Sequence, residues 1–197
     1  MLFRSADTAK WTVGAQRFAT EGGVGAATAQ VGSDVARIVS YLTNQGVSEE
    51  DIQLGTLRTD QDYSYNQDAN APKRYVVRQE VTVNSDDPEG IQRLSQNITS
   101  LANQGLILQV YDPQYYISTL PEIRVSLVGQ AVEDAKARAE QIAESTGQSV
   151  GRLQSASTGV VQVLAPNSTD VADYGSYDTM TIEKKVMVTV RATFFVR

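Results

Sequence analysis

Six aspartates in two polar stretches are the residues of this sequence whose type first suggests a metal site. Three fall within residues 60–68 and three within residues 170–178: Asp60, Asp62, Asp68, Asp170, Asp173 and Asp178. A calcium loop places acidic ligands at alternate positions, followed by a glycine and a more distant glutamate. Neither stretch has that spacing, and clustered charges usually face water. We interpret both stretches as solvated hairpin tips and predict no metal site.

Two pairs of glutamates have the residue type that general acid–base chemistry needs, because one carboxyl can donate a proton while another accepts one. Glu49 and Glu50 lie at a predicted helix–strand junction, and Glu140 and Glu144 lie on a polar helix face. No feature of the sequence places either pair in a pocket. We therefore assign them no catalytic role.

Histidine and cysteine are absent from all 197 residues of the sequence. Their absence removes histidine bases, cysteine nucleophiles, Ser–His–Asp triads, the common zinc sites and disulfides. The sequence therefore predicts a protein that is not an enzyme and that has no catalytic, cofactor-binding or metal-binding residues.

Gly23 and Gly25 follow a predicted strand and precede a predicted helix, as the glycines of a dinucleotide-binding fingerprint do. The third position of that fingerprint is Thr28 rather than glycine or alanine. The next strand is also expected to run antiparallel. We interpret the glycines as a mobile turn.

The net charge of −6 argues against sequence-independent binding of nucleic acid and against attraction to anionic lipid. No apolar run approaches the roughly 20 residues of a membrane helix, so we predict no integral membrane segment. Residues 1–5 are too few for a signal peptide. Two interpretations stay open: a cytosolic protein, or an exported protein whose leader has been removed.

Hydrophobic periodicity predicts two strand–helix–strand units in succession, with strands at residues 10–19, 52–59, 74–83 and 106–111. Each helix ends in the tripeptide Asn-Gln-Gly, at residues 44–46 and 103–105. Aligning the tripeptides also aligns apolar positions: Val35 with Leu94, Val39 with Ile98, and Leu42 with Leu101. This repeat predicts a ferredoxin-like βαββαβ plait over residues 1–118, with residues 60–73 as an exposed hairpin loop.

The pattern changes after Pro113 to one helix and two long strands. Pro121 starts the helix, whose predicted buried stripe is Val125, Val128, Val132, Ala135, Ala139 and Ile142. Strands are predicted at residues 151–164 and 182–196, joined by a tip at residues 165–180. The sequence thus predicts an α+β fold: the plait, then an α-β-β unit at residues 119–197, with antiparallel sheets and helices packed on one face.

The predicted terminal strand is longer than the usual five or six residues, so it should outrun its partner and leave an open edge. The tip beside it carries Tyr174 and Tyr177, and exposed tyrosine is enriched at protein interfaces. We therefore predict a homo-oligomer in which this hairpin and its tip contribute to subunit contacts. The competing interpretation is that the strand pairs fully inside one subunit.

With these elements placed, the chain resembles the SIMPL-domain family over nearly its whole length. The resemblance rests on short motifs at residues 7–11 (Asp-Thr-Ala-Lys-Trp), 46–47, 51–53, 74–75, 131–140, 147–153 and 182–186. It implies a protein that is periplasmic or secreted, with links to oxidative stress, and that in some relatives forms large homo-oligomers. No catalytic residues are established for the family. The resemblance also implies a leader and an extra early strand before Asp7, and we expect this chain to lack both.

Two functional hypotheses follow. The first is a non-enzymatic extracytoplasmic SIMPL-domain protein that acts through homo-oligomeric assembly, in the cell envelope or in oxidative-stress defence. The second is a ligand-binding module, or a hydrolase that uses carboxylates, with a cleft between two lobes.

Overall fold

The computed structural model describes residues 1–63, 72–169, 172 and 174–197. Within them lie three α-helices and eleven β-strands, which confirms the α+β class. The helices are α1 (Val24–Asn44), α2 (Pro88–Asn97) and α3 (Leu120–Ser145). The strands are β1 (Leu2–Ser5), β2 (Thr8–Thr20), β3 (Ile52–Leu54), β4 (Arg58–Gln61), β5 (Arg74–Ser85), β6 (Leu108–Val110), β7 (Gln114–Tyr116), β8 (Val150–Thr158), β9 (Gln162–Leu164), β10 (Glu183–Met187) and β11 (Val190–Val196). None of these helices has a stretch long and apolar enough to span a membrane.

The chain divides into two compact units. The plait unit is Asp7–Tyr115, and the terminal unit is Met1–Ala6 together with Tyr116–Arg197. The division into domains at residues 1–118 and 119–197 stays a prediction.

The plait unit is built on one antiparallel sheet with the strand order β3-β5-β2-β6, in which β4 also pairs with β5 and β7 with β2. The first predicted strand, here β2, and the last, here β6, therefore share a sheet. This order is that of a ferredoxin-like plait and confirms the topology that the repeat predicts. Part of the predicted loop 60–73 lies outside the described residues.

The core of the plait follows the two periodicities of its sequence. Alternate residues of β2 and β5 point toward α1 and α2 and are buried: Trp11, Val13, Ala15, Val77, Val81 and Val83. The helices contribute residues at spacings of three and four: Val31, Val35, Ile38 and Leu42 from α1, and Ile91 from α2. The short 3-10 helix Ile98–Gln104 that continues α2 adds Ile98 and Leu101.

Residue type accounts for both ends of the segment formed by α2 and its 3-10 extension. Asp87 caps the N-terminus because its Oδ1 accepts a hydrogen bond of 2.9 Å from the N–H of Gly90, and Pro88 occupies the first turn. Gly105 ends the 3-10 extension with φ of +87°, a conformation that favours glycine.

The terminal unit has two separate sheets, with the orders β1-β10-β9 and β11-β8. The expectation that no early strand precedes Asp7 is wrong, because Leu2–Ser5 pairs antiparallel with β10. A small core lies beneath α3 and contains Ile117, Leu127, Val163 and Val186.

Each of the two long strands predicted for the terminal unit is divided in the structure. The predicted strand 182–196 breaks between Met187 and Val190, and the predicted strand 151–164 breaks between Thr158 and Gln162. At both breaks the chain leaves one sheet and enters the other, and the Gly159 N–H donates to the Thr189 carbonyl at 2.8 Å. In the predicted strand 182–196 the alternation of apolar residues continues across the break, so the sequence pattern does not reveal the break.

The predicted buried stripe of α3 is partly wrong. Val125 and Ile142, at its two ends, are 76% and 69% exposed, and the four residues between them are half-buried. The fully buried residues of the helix are Leu127 and Ala143. The physical reason is that α3 packs against two separate small sheets: Leu127 lies in the core with Val163 of β9 and Val186 of β10, whereas Ala143 faces β11, so no single stripe is buried along the whole helix.

The burial difference along α3 gives a direct test of the helix orientation. Leu127→Ala is expected to lower the free energy of unfolding by at least about 2 kcal/mol, because it leaves a cavity in the core. Val125→Ala removes an exposed side chain and is expected to change it by less than about 0.5 kcal/mol. Urea unfolding of both variants measures the difference. An equal loss of free energy of unfolding in the two variants would contradict this orientation of α3.

Candidate functional site

The three described aspartates of the two polar stretches form ion pairs with nearby basic residues. Asp60 lies 2.7 Å from Arg78 and Asp62 lies 2.5 Å from Arg74, across the hairpin formed by β4 and β5. Asp178 pairs with Lys184. Asp68, Asp170 and Asp173 lie outside the described residues. Each described aspartate therefore has its own basic partner.

The glutamate pairs and the glycines also occupy local structural positions. Glu49 and Glu50 form one 3-10 turn, and Glu140 pairs with Lys136 at 3.6 Å on the exposed face of α3. Gly23 closes a 3-10 turn that leads directly into α1.

A buried lysine in the terminal unit was missed by the sequence analysis. The Lys184 side chain has no solvent exposure, and its Nζ donates to the carbonyls of Asp178 and Thr181, both at 2.6 Å. Asp178 Oδ2 lies 3.2 Å from the same Nζ. In the alternating pattern of this strand, Lys184 falls on the same apolar face as Ile182 and Val186. A lysine at an apolar position is the feature of the sequence that could have indicated its burial.

The environment shifts the pKa values of both partners. Burial lowers the pKa of Lys184, and the hydrogen bond and charge of Asp178 oppose this effect without cancelling it. Burial alone would raise the pKa of Asp178, but hydrogen bonds from Thr181, from the Met180 N–H and from Lys184 outweigh it and leave the pKa lowered. With three acceptors around its Nζ, Lys184 holds the segment before β10 in place. The arrangement is that of a structural clamp.

Tyr177, beside this clamp, contributes packing and a hydrogen bond within the terminal unit. Its hydroxyl accepts a 2.8 Å hydrogen bond from the Ile117 N–H, and its ring centroid lies 5.9 Å from that of Tyr116. Tyr174 is exposed, as predicted for an interface residue. Tyr177 therefore supports the fold of the unit, whereas Tyr174 is available at its surface.

The exposed surface formed by α3, β8 and β11, named here the ribbon surface, is the candidate functional site. From Arg152 to Thr158, every residue of β8 is exposed. Exposed apolar side chains on the same elements are Val125, Ile142, Leu153, Phe195 and Val196. Exposed apolar groups on neighbouring elements mark interaction surfaces more often than single scattered ones do.

The β8–β11 sheet has two open edges. Its strands pair only with each other among the described residues, in an antiparallel register interrupted by two irregularities near Phe194. A two-stranded sheet is marginally stable by itself, and open edges expose backbone N–H and carbonyl groups. The edges can therefore accept a further strand.

A groove of about 330 Å³ runs between α3 and β11. Ala139, Ile142 and Ala143 line it from the helix, and the five consecutive residues 192–196 line it from the strand. Consecutive strand residues point to opposite faces of a sheet. Residues 192–196 all line the groove, so the backbone of β11 runs along it. A chain segment lying in the groove can reach both the β11 backbone and the apolar flank of α3.

The charges on the two parts of the ribbon surface have opposite signs. The helix α3 carries five acidic residues and three basic ones. The strands carry Arg152 and Arg191 and no acidic residue. The Arg152 guanidinium lies 5.0 Å from the centroid of the Phe195 ring. The two parts of the ribbon surface therefore differ in the sign of their charge.

Comparison with known protein families gives a match that covers residues 4–194. The matching family is SIMPL, described as a protein of unknown function (DUF541). No curated protein matches the chain. The match covers nearly all of both units, and its description names no activity, ligand or partner.

Proposed function

The chain belongs to the SIMPL family, and from this premise we propose that it acts outside the cytoplasm by assembling with copies of itself, without catalysing a reaction. The assembly would lie in the periplasm or the extracellular space and would contribute to the cell envelope or to oxidative-stress defence. One observation carries it: a long helix and a two-stranded sheet expose apolar side chains beside two open sheet edges.

The poor coverage of α3 supports an assembled state. This helix has 26 residues, of which Leu127 and Ala143 are fully buried. Most helical stability in proteins comes from packing of an apolar face, so a helix of this length normally buries a longer stripe. A second copy on the ribbon surface would cover the ends of the predicted stripe, Val125 and Ile142, which the single chain leaves in water.

The open edge of β11 supplies the complementary half of the contact. Strand addition gives affinity through backbone hydrogen bonds and specificity through the side chains that flank them. Two copies that joined through this edge would form a four-stranded sheet, which no longer has the marginal stability of a two-stranded one.

The contact is tested by replacing Phe195, which is 42% exposed at the end of β11, with lysine. In the assembled state a charged side chain here would be desolvated, which is unfavourable without a partner. We expect sedimentation velocity to show Phe195→Lys shifted toward the monomer relative to the parent protein.

A matched control lies in the plait unit. Phe18 is 43% exposed, and the Arg74 guanidinium lies 4.4 Å from its ring centroid, so its setting resembles that of Phe195. Phe18→Lys is expected to leave the sedimentation profile unchanged. A monomeric parent at the highest attainable concentration, or equal behaviour of the two variants, would refute assembly through the ribbon surface.

The contribution of the tip at residues 165–180 stays a prediction, because part of it lies outside the described residues. Deleting the tip would also remove Tyr177 and Asp178, which bind the Ile117 N–H and Lys184. Tyr174→Ser tests the exposed part of the tip without disturbing these bonds.

A further inference from the structure

The face of the plait sheet opposite α1 and α2 carries a hydrogen-bonded bridge above Gly14. This glycine lies in β2 between Glu80 of β5 and Gln109 of β6. The Tyr111 hydroxyl donates to Glu80 Oε1 at 2.9 Å and accepts from Gln109 Nε2 at 2.7 Å. The phenol therefore links β5 and β6 across Gly14, the one residue of β2 that lacks a side chain.

Glycine at position 14 gives the bridge its room. A Cβ atom there would lie 3.0 Å from the Gln79 carbonyl oxygen and 3.3 Å from Glu80 Cγ, both tighter than ordinary contacts. The backbone on either side of Tyr111 is also held, because its N–H donates to the Thr12 carbonyl and its carbonyl accepts from Trp11 Nε1 at 2.9 Å. Tyr111 is thus fixed by its hydroxyl and by its main chain.

Two polar grooves meet at this bridge, and Glu80 and Tyr111 line both of them. The first, of about 330 Å³, is also lined by Lys10, Thr12, Asp112 and Gln114. The second, of about 310 Å³, is also lined by Gly55, Thr56, Arg58, Arg78 and Gln79. The Tyr111 side chain is 41% exposed between them.

Each groove offers both donors and acceptors. Lys10 lies in the first groove and Arg58 in the second, and neither forms an ion pair within the described residues, whereas Arg78, the other cation of the second groove, is paired with Asp60. Asp112 lies in the first groove, and the Glu80 carboxylate is shared. A sugar hydroxyl both donates and accepts hydrogen bonds, so it can bind the donors and the acceptors of these grooves. The apolar face of a sugar ring can pack against a half-exposed aromatic ring such as that of Tyr111.

We propose that this face of the plait unit binds an oligosaccharide that lies across Tyr111, with one sugar unit in each groove. Glu80 and Asp112 accept hydrogen bonds from sugar hydroxyls, and Lys10 and Arg58 donate to ring or acetamido oxygens. The two grooves carry balanced charge, which favours a neutral glycan over a polyanion. This inference is independent of the proposed assembly, because all of its residues lie in the plait unit.

The sole tryptophan of the chain provides the readout. Trp11 Nε1 donates to the Tyr111 carbonyl, so its single indole N–H signal in a two-dimensional NMR spectrum reports on the Tyr111 backbone. The full chain, labelled with ¹⁵N, is titrated with the β-1,4-linked trisaccharide of N-acetylglucosamine. We expect a saturable shift of the indole signal.

Three variants assign the shift to the grooves. Tyr111→Ala removes the ring and is expected to weaken binding about tenfold or more, whereas Tyr111→Phe keeps the ring and is expected to weaken it less. Arg58→Ala removes an exposed side chain of the second groove and is expected to weaken binding even if Tyr111→Ala disturbs the fold. Phe195→Lys lies on the ribbon surface and is expected to bind as the parent protein does.

Three outcomes of the titration would overturn the proposal. Absence of a saturable shift at millimolar trisaccharide, or a shift that survives both Tyr111→Ala and Arg58→Ala, would exclude glycan binding here. A shift produced by a Lys-Gly-Glu tripeptide but not by the trisaccharide would assign the grooves to peptide and also overturn it.

Discussion

Replacing Asp34 by alanine is expected to lower the free energy of unfolding by about 3–5 kcal/mol, the usual result of removing one partner from a buried ion pair. The Asp34 side chain has no solvent exposure, and its Oδ2 lies 2.6 Å from the Arg17 guanidinium. Gln30 Nε2 donates to its other oxygen at 3.0 Å. The substitution leaves the Arg17 charge without its carboxylate in a largely buried place.

The position of Arg17 extends the effect beyond one contact. Its guanidinium also donates to the Gly105 carbonyl at 2.8 Å, so it joins β2, α1 and the turn before β6. Urea unfolding measures the loss. The double variant Arg17→Met with Asp34→Leu is expected to recover much of it, because no unpaired charge is left. A loss of less than about 1 kcal/mol for Asp34→Ala would contradict a stabilising role of the pair.

The second large effect is expected for Lys184→Met, which should lower the free energy of unfolding by about 3–5 kcal/mol. The methionine fills a similar space but leaves the carbonyls of Asp178 and Thr181 without their donor. Thermal unfolding measures the loss. Lys136→Met, on the exposed face of α3, is the control and is expected to change the midpoint little. Equal midpoints for the two variants would exclude the clamp.

The pair of Asp178 and Lys184 also predicts how the free energy of unfolding changes as the pH falls. The folded pKa of Asp178 is lowered, so its contribution is fully present above the ordinary aspartate pKa of 3.8 and is lost as pH falls through the folded value. Below pH 3.8, the free energy of unfolding of Asp178→Asn is therefore expected to fall less steeply with falling pH than that of the parent protein. Parallel curves for the two proteins in that range would contradict this origin of the acid dependence.

Local features of the plait could be predicted from the sequence because they depend on neighbours within one or two turns. The period of two in β2 places Trp11 and Val13 in the core, and a period of three to four does the same for Val31 and Val35 of α1. The cap at Asp87 and the turn at Gly105 follow from the conformations that these residue types favour. The repeat then determined the topology, since two equal units close into one sheet.

Tertiary structure alone decided where the terminal unit changes sheets, which residues of α3 are buried and what surrounds Lys184. Alternation of side chains is the same whether Val186 and Val190 share a sheet or lie in two, so the pattern carries no signal for the break. The Tyr111–Glu80 bridge joins residues 31 positions apart in the sequence, and it exists only because β5 and β6 flank β2. The sequence by itself determined the plait and its helices, whereas both proposed sites arise from side chains that non-local strand pairing and packing bring together.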